Sequence, residues 1–167
     1  MKVVFCFCLE RGRIVMQEFC FALLGDEVKL PIYVTGVGST DPECHCMRPS
    51  GHVYHQVIYT AGGEGILYLD GEKHKIGKGT GFVLPAFYPH EYTAKDGFNW
   101  ETHWVTFSGT AINMIMDSFG FSKPVIFKVS DISPLEKIWE RMIKTVRSSN
   151  IYSGYTNSSN VYSFLVE

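Results

Sequence analysis

The sequence predicts a mostly β domain, a sandwich or closed barrel, with helices gathered toward its C-terminal end. Three observations predict it. From Pro31 to about Phe107, short runs rich in Val, Ile, Tyr, Phe and Thr are separated by glycine and proline. Between two such runs stands Asp70-Gly71, which supplies the two positive-φ positions of a tight hairpin turn. After Ser108-Gly109 the apolar spacing changes from strand-like to helical. A β half followed by a helical half is the α+β pattern. With 167 residues, 46% hydrophobic and 14% aromatic, the chain is sized for one domain and is too apolar to be disordered. A net charge of −2 gives the chain as a whole no electrostatic case for gripping nucleic acid. No apolar stretch has the length of a membrane span. Five cysteines, an odd number, fit a reduced cytoplasmic compartment better than a disulfide framework.

The N-terminal run Val3-Val4-Phe5-Cys6-Phe7-Cys8-Leu9 is as long as a short secretory core, but Glu10-Arg11-Gly12-Arg13 stands where small cleavage-site residues belong. Met16 opens a segment that reads as a protein start. Translation is therefore read as beginning at Met16, which makes residues 1–15 a mis-called leader within an N-terminal leader segment, 1–18, that precedes the barrel; an extra strand or a floppy leader is the alternative. Residues 19–110 form the expected barrel. Its candidate strands are Ile32–Val37, Cys44–Arg48, Val53–Thr60, Gly65–Leu69, Lys73–Ile76, Gly81–Leu84, His90–Ala94 and Trp100–Phe107.

Residues 111–167 form the helical region. Ala111 to Phe119 is a short helix stopped by Gly120, and Val125–Val129 is one more strand. Ser133-Pro134-Leu135-Glu136 reads as a helix start, with serine as the cap, proline at the first helical position and glutamate completing a capping box. Leu135, Ile138, Trp139, Met142, Ile143 and Val146 follow on one apolar face, enough to cover the side of a barrel. Tyr152 to Glu167 is weakly helical, with Tyr155, Val161, Tyr162 and Leu165 as its apolar positions, and it stops without a cap, as if cut inside a helix.

Six histidines invite a metal reading. Cys44, Cys46, His52 and His55 lie close in sequence, yet Cys-x-Cys on a strand sends both thiols to one face and His45 to the other, and no CxxC pair occurs. Cupin enzymes carry His-x-His on one strand. Here the spacing is His52-x-x-His55, and Glu64 lies far along, so a barrel is supported and a metal centre is not. No nucleophile elbow and no phosphate-binding loop is present.

A polar-aromatic set remains. Arg48-Pro49-Ser50-Gly51 ends one strand and turns. His90 and Tyr92 share a face of another. Trp100, Thr102, Trp104 and Thr106 alternate with Glu101, His103, Val105 and Phe107 on a third. A guanidinium fork, hydroxyls and a flat indole suit a sugar in a small cavity. A core role for the tryptophans and a surface ion pair for Arg48 are equally open on residue types alone.

These residues resemble a known family. Leu30-Pro31-Ile32-Tyr33-Val34-Thr35-Gly36, Arg48-Pro49-x-Gly51, Val57-Ile58-Tyr59 with Gly63-x-Gly65, Gly79-x-Gly81-Phe82-x-Leu84-Pro85-x4-His90-x-Tyr92 and Trp100-x3-Trp104-Val105-x-Phe107-x-Gly109 together are similar to the N-terminal effector-binding domain of AraC-type transcriptional regulators. The resemblance implies a cupin-like jelly-roll β-barrel followed by two or three helices, a non-enzymatic sugar sensor without cofactor, and a homodimer. It also implies that DNA is bound only through a helix-turn-helix domain outside this chain. In the family's arabinose-binding member the ligand contacts map to Arg48, Tyr92 and Trp104; a histidine contact is replaced by Thr102, and His90 belongs to the same motif. The last helix, with Tyr155, Tyr162 and Leu165, is then left for the partner subunit, where its serines and asparagines make a weak seam. The alternative is a metal-dependent cupin enzyme, an isomerase or dioxygenase.

Overall fold

The computed structural model describes residues 3–10, 13–22, 24–96, 99–148 and 150–167, with side chains from Gln17 onward. Ten strands come first or nearly so: β1 (Val3–Glu10), β2 (Arg13–Phe21), β3 (Tyr33–Asp41), β4 (Cys46–Arg48), β5 (His55–Leu69), β6 (Glu72–Gly77), β7 (Thr80–Leu84), β8 (His90–Ala94), β9 (Trp100–Ser108) and β10 (Val125–Lys128). Helix α1 (Ile112–Ser118) precedes β10, and α2 (Ser133–Arg147) and α3 (Ser153–Val166) close the chain. The larger sheet runs β1-β2-β3-β9-β5-β7-β10, and a smaller one runs β4-β8-β5-β6. All pairings are antiparallel. This is a mostly β, cupin-like fold with C-terminal helices. Among the described residues no helix is long and apolar enough to cross a membrane.

Strand β5 joins the two sheets. The sequence suggests two strands here, broken by Gly62-Gly63, but the chain continues as one of 15 residues. The glycines bend it without ending it. Its pairing with β9 slips between Thr60 and Gly62, and a Cβ on Gly63 (φ +76) would lie 1.7 Å from the Asn99 carbonyl oxygen. The first half of β5 pairs with β7 and β9, and the second half with β6 and β8. The Asp70-Gly71 turn then has both residues at positive φ, 52 and 82.

Residues read as a leader supply two strands. β1 and β2 form a hairpin, and β2 pairs with β3 from Met16↔Asp41 to Phe21↔Gly36. The strand expected from Cys44 begins only at Cys46.

Alternation divides the larger sheet into two working faces. Val37, Val57, Val83 and Val105 stand in register and turn one way, into a core shared with the helices. All six apolar positions of α2 are buried in that core. At roughly 1.5–3 kcal/mol for each fully buried large side chain, this face fixes α2 on its own barrel. Its start differs from the expected cap. Ser133 is already helical, and its backbone N–H donates to the Asp131 carboxylate at 2.9 Å. Hydrogen bonding to Ser133 holds that carboxyl below its usual range. Glu136 turns away to His103, so no capping box forms.

Helix α3 also packs inward. Asn157, Val161, Phe164 and Leu165 share its buried face, as helical spacing dictates, and the Phe164 ring lies 6.0 Å from that of Tyr59. Leu165, expected at a subunit seam, is 7% exposed within its own protomer and is core. Tyr155 and Tyr162 point outward, each about half exposed.

Candidate functional site

The opposite face of the larger sheet lines a cavity. Register alone assembles its wall: Phe19, Gly38, Trp104 and Ile58 stand in one row across β2, β3, β9 and β5, and Phe21, Gly36, Thr106 and Gln56 in the next. Part of the barrel interior is filled by Ile58, Leu67, Ile76, Phe82, Tyr92 and Trp100. Beside this plug a space of about 500 Å³ remains, within the range that takes small molecules.

Arg48, Tyr92 and Trp104 all face this cavity. Arg48 Nη1 donates to Gln56 Oε1 at 2.8 Å, which fixes one side of the fork. Tyr92 forms part of the floor, and burial, the nearby Glu43 carboxylate and Cys46 raise its phenol, with Arg48 opposing. Trp104 is tilted by 36° against Phe19, with ring centroids 6.5 Å apart. Gly38 makes room for it, because a Cβ there would meet Trp104 Cζ2 at 2.6 Å.

Thr102 and His90 lie behind the wall. Thr102 is fully buried, and its hydroxyl donates to Glu43 Oε2. The hydroxyl expected to meet a ligand is spent on a carboxylate that itself faces the cavity. The His90 ring lies parallel to Tyr92 at 5.9 Å. Its Nδ1 donates to the Tyr88 carbonyl at 2.8 Å, which leaves Nε2 as a buried acceptor with no hydrogen-bond partner among the described residues. Burial holds its pKa low, and Arg48 and His52 push the same way.

Of the candidate metal ligands, Cys44, Cys46 and His52 line the cavity, and His55 and His90 do not. His55 accepts from the Ala86 N–H and stacks on Phe107; His52 accepts from the Tyr54 N–H. Among the described residues no three of His, Cys, Asp and Glu are placed to hold a metal ion.

Sequence reasoning missed Glu43, Gln56, Phe19 and Phe21. Gln17-x-Phe19-x-Phe21 carried a readable signal, since alternation places all three on one face. Glu43 lies between strands and carried none.

A family model described as AraC-like ligand binding domain matches residues 32–165. Among curated proteins no sequence matches. Among solved structures, apo ToxT from Vibrio cholerae superposes with a TM-score of 0.50 at 9% identity, over 89% of this chain and 52% of that one. The present chain thus spans about half the length of that regulator. The cupin domain of an XRE family transcriptional regulator from Enterobacter cloacae gives 0.43 at 16% identity, over 55% and 94%. The EutQ protein of Clostridium difficile gives 0.42 at 18%, over 66% and 82%. At these identities the likeness is one of fold.

Proposed function

This chain belongs to the AraC-like ligand-binding domain family, and we propose that its cavity senses a small carbohydrate on behalf of a DNA-binding domain outside the chain. The observation that carries this reading is the convergence of Arg48, Tyr92 and Trp104 on one cavity with Thr40, Thr106 and Gln56. An indole offers a flat apolar face to a pyranose. The guanidinium donates to hydroxyl oxygens, and the amide and hydroxyl side chains donate and accept. The domain acts as a sensor without catalysis, in the cytoplasm, and works as a homodimer. Tyr155 and Tyr162 on the outer face of α3 are the dimer contacts on this reading. Ligand binding alters regulation by favouring one arrangement of domain and dimer over another.

The experiment is a thermal-shift panel of pentoses, hexoses and disaccharides on the purified chain, repeated on Arg48→Ala. A stabilising sugar should bind Arg48→Ala weaker by about 1.5–3 kcal/mol, the worth of hydrogen bonds to a charged group. Unchanged affinity in Arg48→Ala, or no shift with any sugar, would sink the reading.

A further inference from the structure

We propose that the ligand is a disaccharide, with one ring against Trp104 beside Arg48 and the second on Phe21 at the cavity mouth. The inference rests on the carbohydrate reading of the cavity and sets the size of the carbohydrate.

The aromatic wall continues beyond Trp104. Phe19 lies 6.5 Å from the Trp104 ring and Phe21 lies 5.3 Å from Phe19, centroid to centroid, and all three line the cavity. Trp104 stands on β9 and the two phenylalanines on β2, with β3 between them. That intervening strand presents glycine in both rows. A Cβ at Gly38 would meet Trp104 Cζ2 at 2.6 Å, and one at Gly36 would meet Phe21 Cδ1 at 3.1 Å and Cε1 at 3.3 Å. The bare backbone lets both rings lie over β3, so the wall runs on as one aromatic strip.

Burial falls along this strip. Ile58 at its inner end is 1% exposed, Trp104 and Phe19 are partly buried, and Phe21 is 56% exposed. An aromatic ring left half in water at the rim of a cavity that also holds polar groups is a platform for the apolar face of a second sugar ring.

Register measures how far this platform lies from the polar end. Phe21, Gly36, Thr106 and Gln56 stand in one row that crosses from β2 to β5, about 14 Å along the sheet at the usual strand spacing. Gln56 at the far end accepts from Arg48. A pyranose, a six-membered ring with bonds near ~1.5 Å, spans about 6 Å between substituents on opposite sides. One ring held by Arg48 therefore falls short of Phe21, and two linked rings span the row.

The test is isothermal titration of the whole chain with maltose, cellobiose and lactose, and with glucose and galactose, the monosaccharides they contain. One of the disaccharides should bind about tenfold tighter than its own monosaccharides, through the apolar area it covers at Phe21. Phe21→Ala should remove that advantage, bringing the disaccharide to within about twofold of its monosaccharides, and Phe21→Trp should retain it. Phe21 is half exposed, and circular dichroism of both variants checks that the fold is kept. Saturation-transfer NMR of the bound disaccharide should show contact at protons of both rings.

A monosaccharide that depends on Arg48 and binds as tightly as every disaccharide overturns the proposal and leaves the carbohydrate reading standing. So does a disaccharide advantage that Phe21→Ala leaves intact, or saturation confined to one ring. Absence of binding by these sugars and by the wider panel overturns both.

Discussion

Replacing Gly38 with alanine tests the geometry that shapes the cavity. A Cβ at this position would lie 2.5 Å from the Glu18 carbonyl oxygen, 2.6 Å from Trp104 Cζ2 and 2.7 Å from Phe19 Cβ. All three are closer than real Cβ contacts. The first belongs to the backbone of β2 and the third is fixed directly to it, so neither yields as a flexible side-chain tip would. Either β2 moves off β3 or the Trp104 ring tips into the cavity. Overpacking of this kind costs about 1–3 kcal/mol. For a domain of this size that is a fall in Tm of roughly 2–12 °C, at about 2–4 °C for each kcal/mol. Gly77 is the control. Nothing lies within 4 Å of a Cβ there, and its φ is not positive, so Gly77→Ala should be neutral or stabilise by a few tenths of a kcal/mol, up to about 1 kcal/mol, through the unfolded chain. The assay is urea and thermal unfolding followed by circular dichroism, with sugar affinity measured in parallel. Gly38→Ala should lose both stability and affinity, and Gly77→Ala neither. Equal stability of the two variants would refute the placement of Trp104 against Gly38.

Acid should destabilise the fold. Burial lowers the pKa of His52, His55 and His90 below 6.5, so the unfolded chain binds more protons just below that pH. Stability should hold above pH 6.5 and fall as pH drops from there through the lowered values, as a urea titration across pH 5–8 would show. Met142→Ala should cost about 2–5 kcal/mol, because the side chain is fully buried between α2 and the sheet; a loss under about 1 kcal/mol by chemical denaturation would contradict that packing. Trp139→Phe keeps the ring over His103 but removes the Nε1 hydrogen bond to the Gly38 carbonyl at 3.2 Å, so it should cost about 1 kcal/mol or somewhat more in the same assay.

The legible parts of the sequence were those governed by local period and turn chemistry. Asp70-Gly71, the apolar face of α2 and the alternation of Trp104 with His103 each depend on neighbours in the chain, and each stands in the structure as its spacing implies. What failed depended on distant partners. The strand ended at Thr60 and restarted at Gly65 in the sequence reading is continuous once β9 is laid beside Gly62-Gly63. Ser133 reads as a cap until Asp131 and His103 take the groups that would complete the motif. Leu165 reads as a spare apolar position until Val57, Val83 and Phe127 are brought beneath α3. Glu43 is the hardest case, since an acid between strands looks like surface until folding brings Thr102 and the Trp100 carbonyl against it.

One residue thickness separates the cavity from the helices. On β9, Trp104 and Thr106 face the cavity, while His103 and Val105 face α2 and α3. The His103 ring stacks on Trp139 of α2 at 3.9 Å, and its Nδ1 lies 3.0 Å from Glu136 on the same helix. Gly38 of β3 meets both tryptophans. The Trp104 ring lies over its Cα, and its carbonyl oxygen accepts from Trp139 Nε1. The ring that walls the cavity and the ring that anchors α2 therefore bear on the same residue from two sides, with no intervening layer to absorb a displacement. A close-packed interior transmits small shifts instead of dissipating them. If a ligand contacts Trp104 as proposed, its push reaches the seat of α2 directly. The size of the response is bounded by linkage: an effector moves the helix only as far as its affinity differs between the two helix positions.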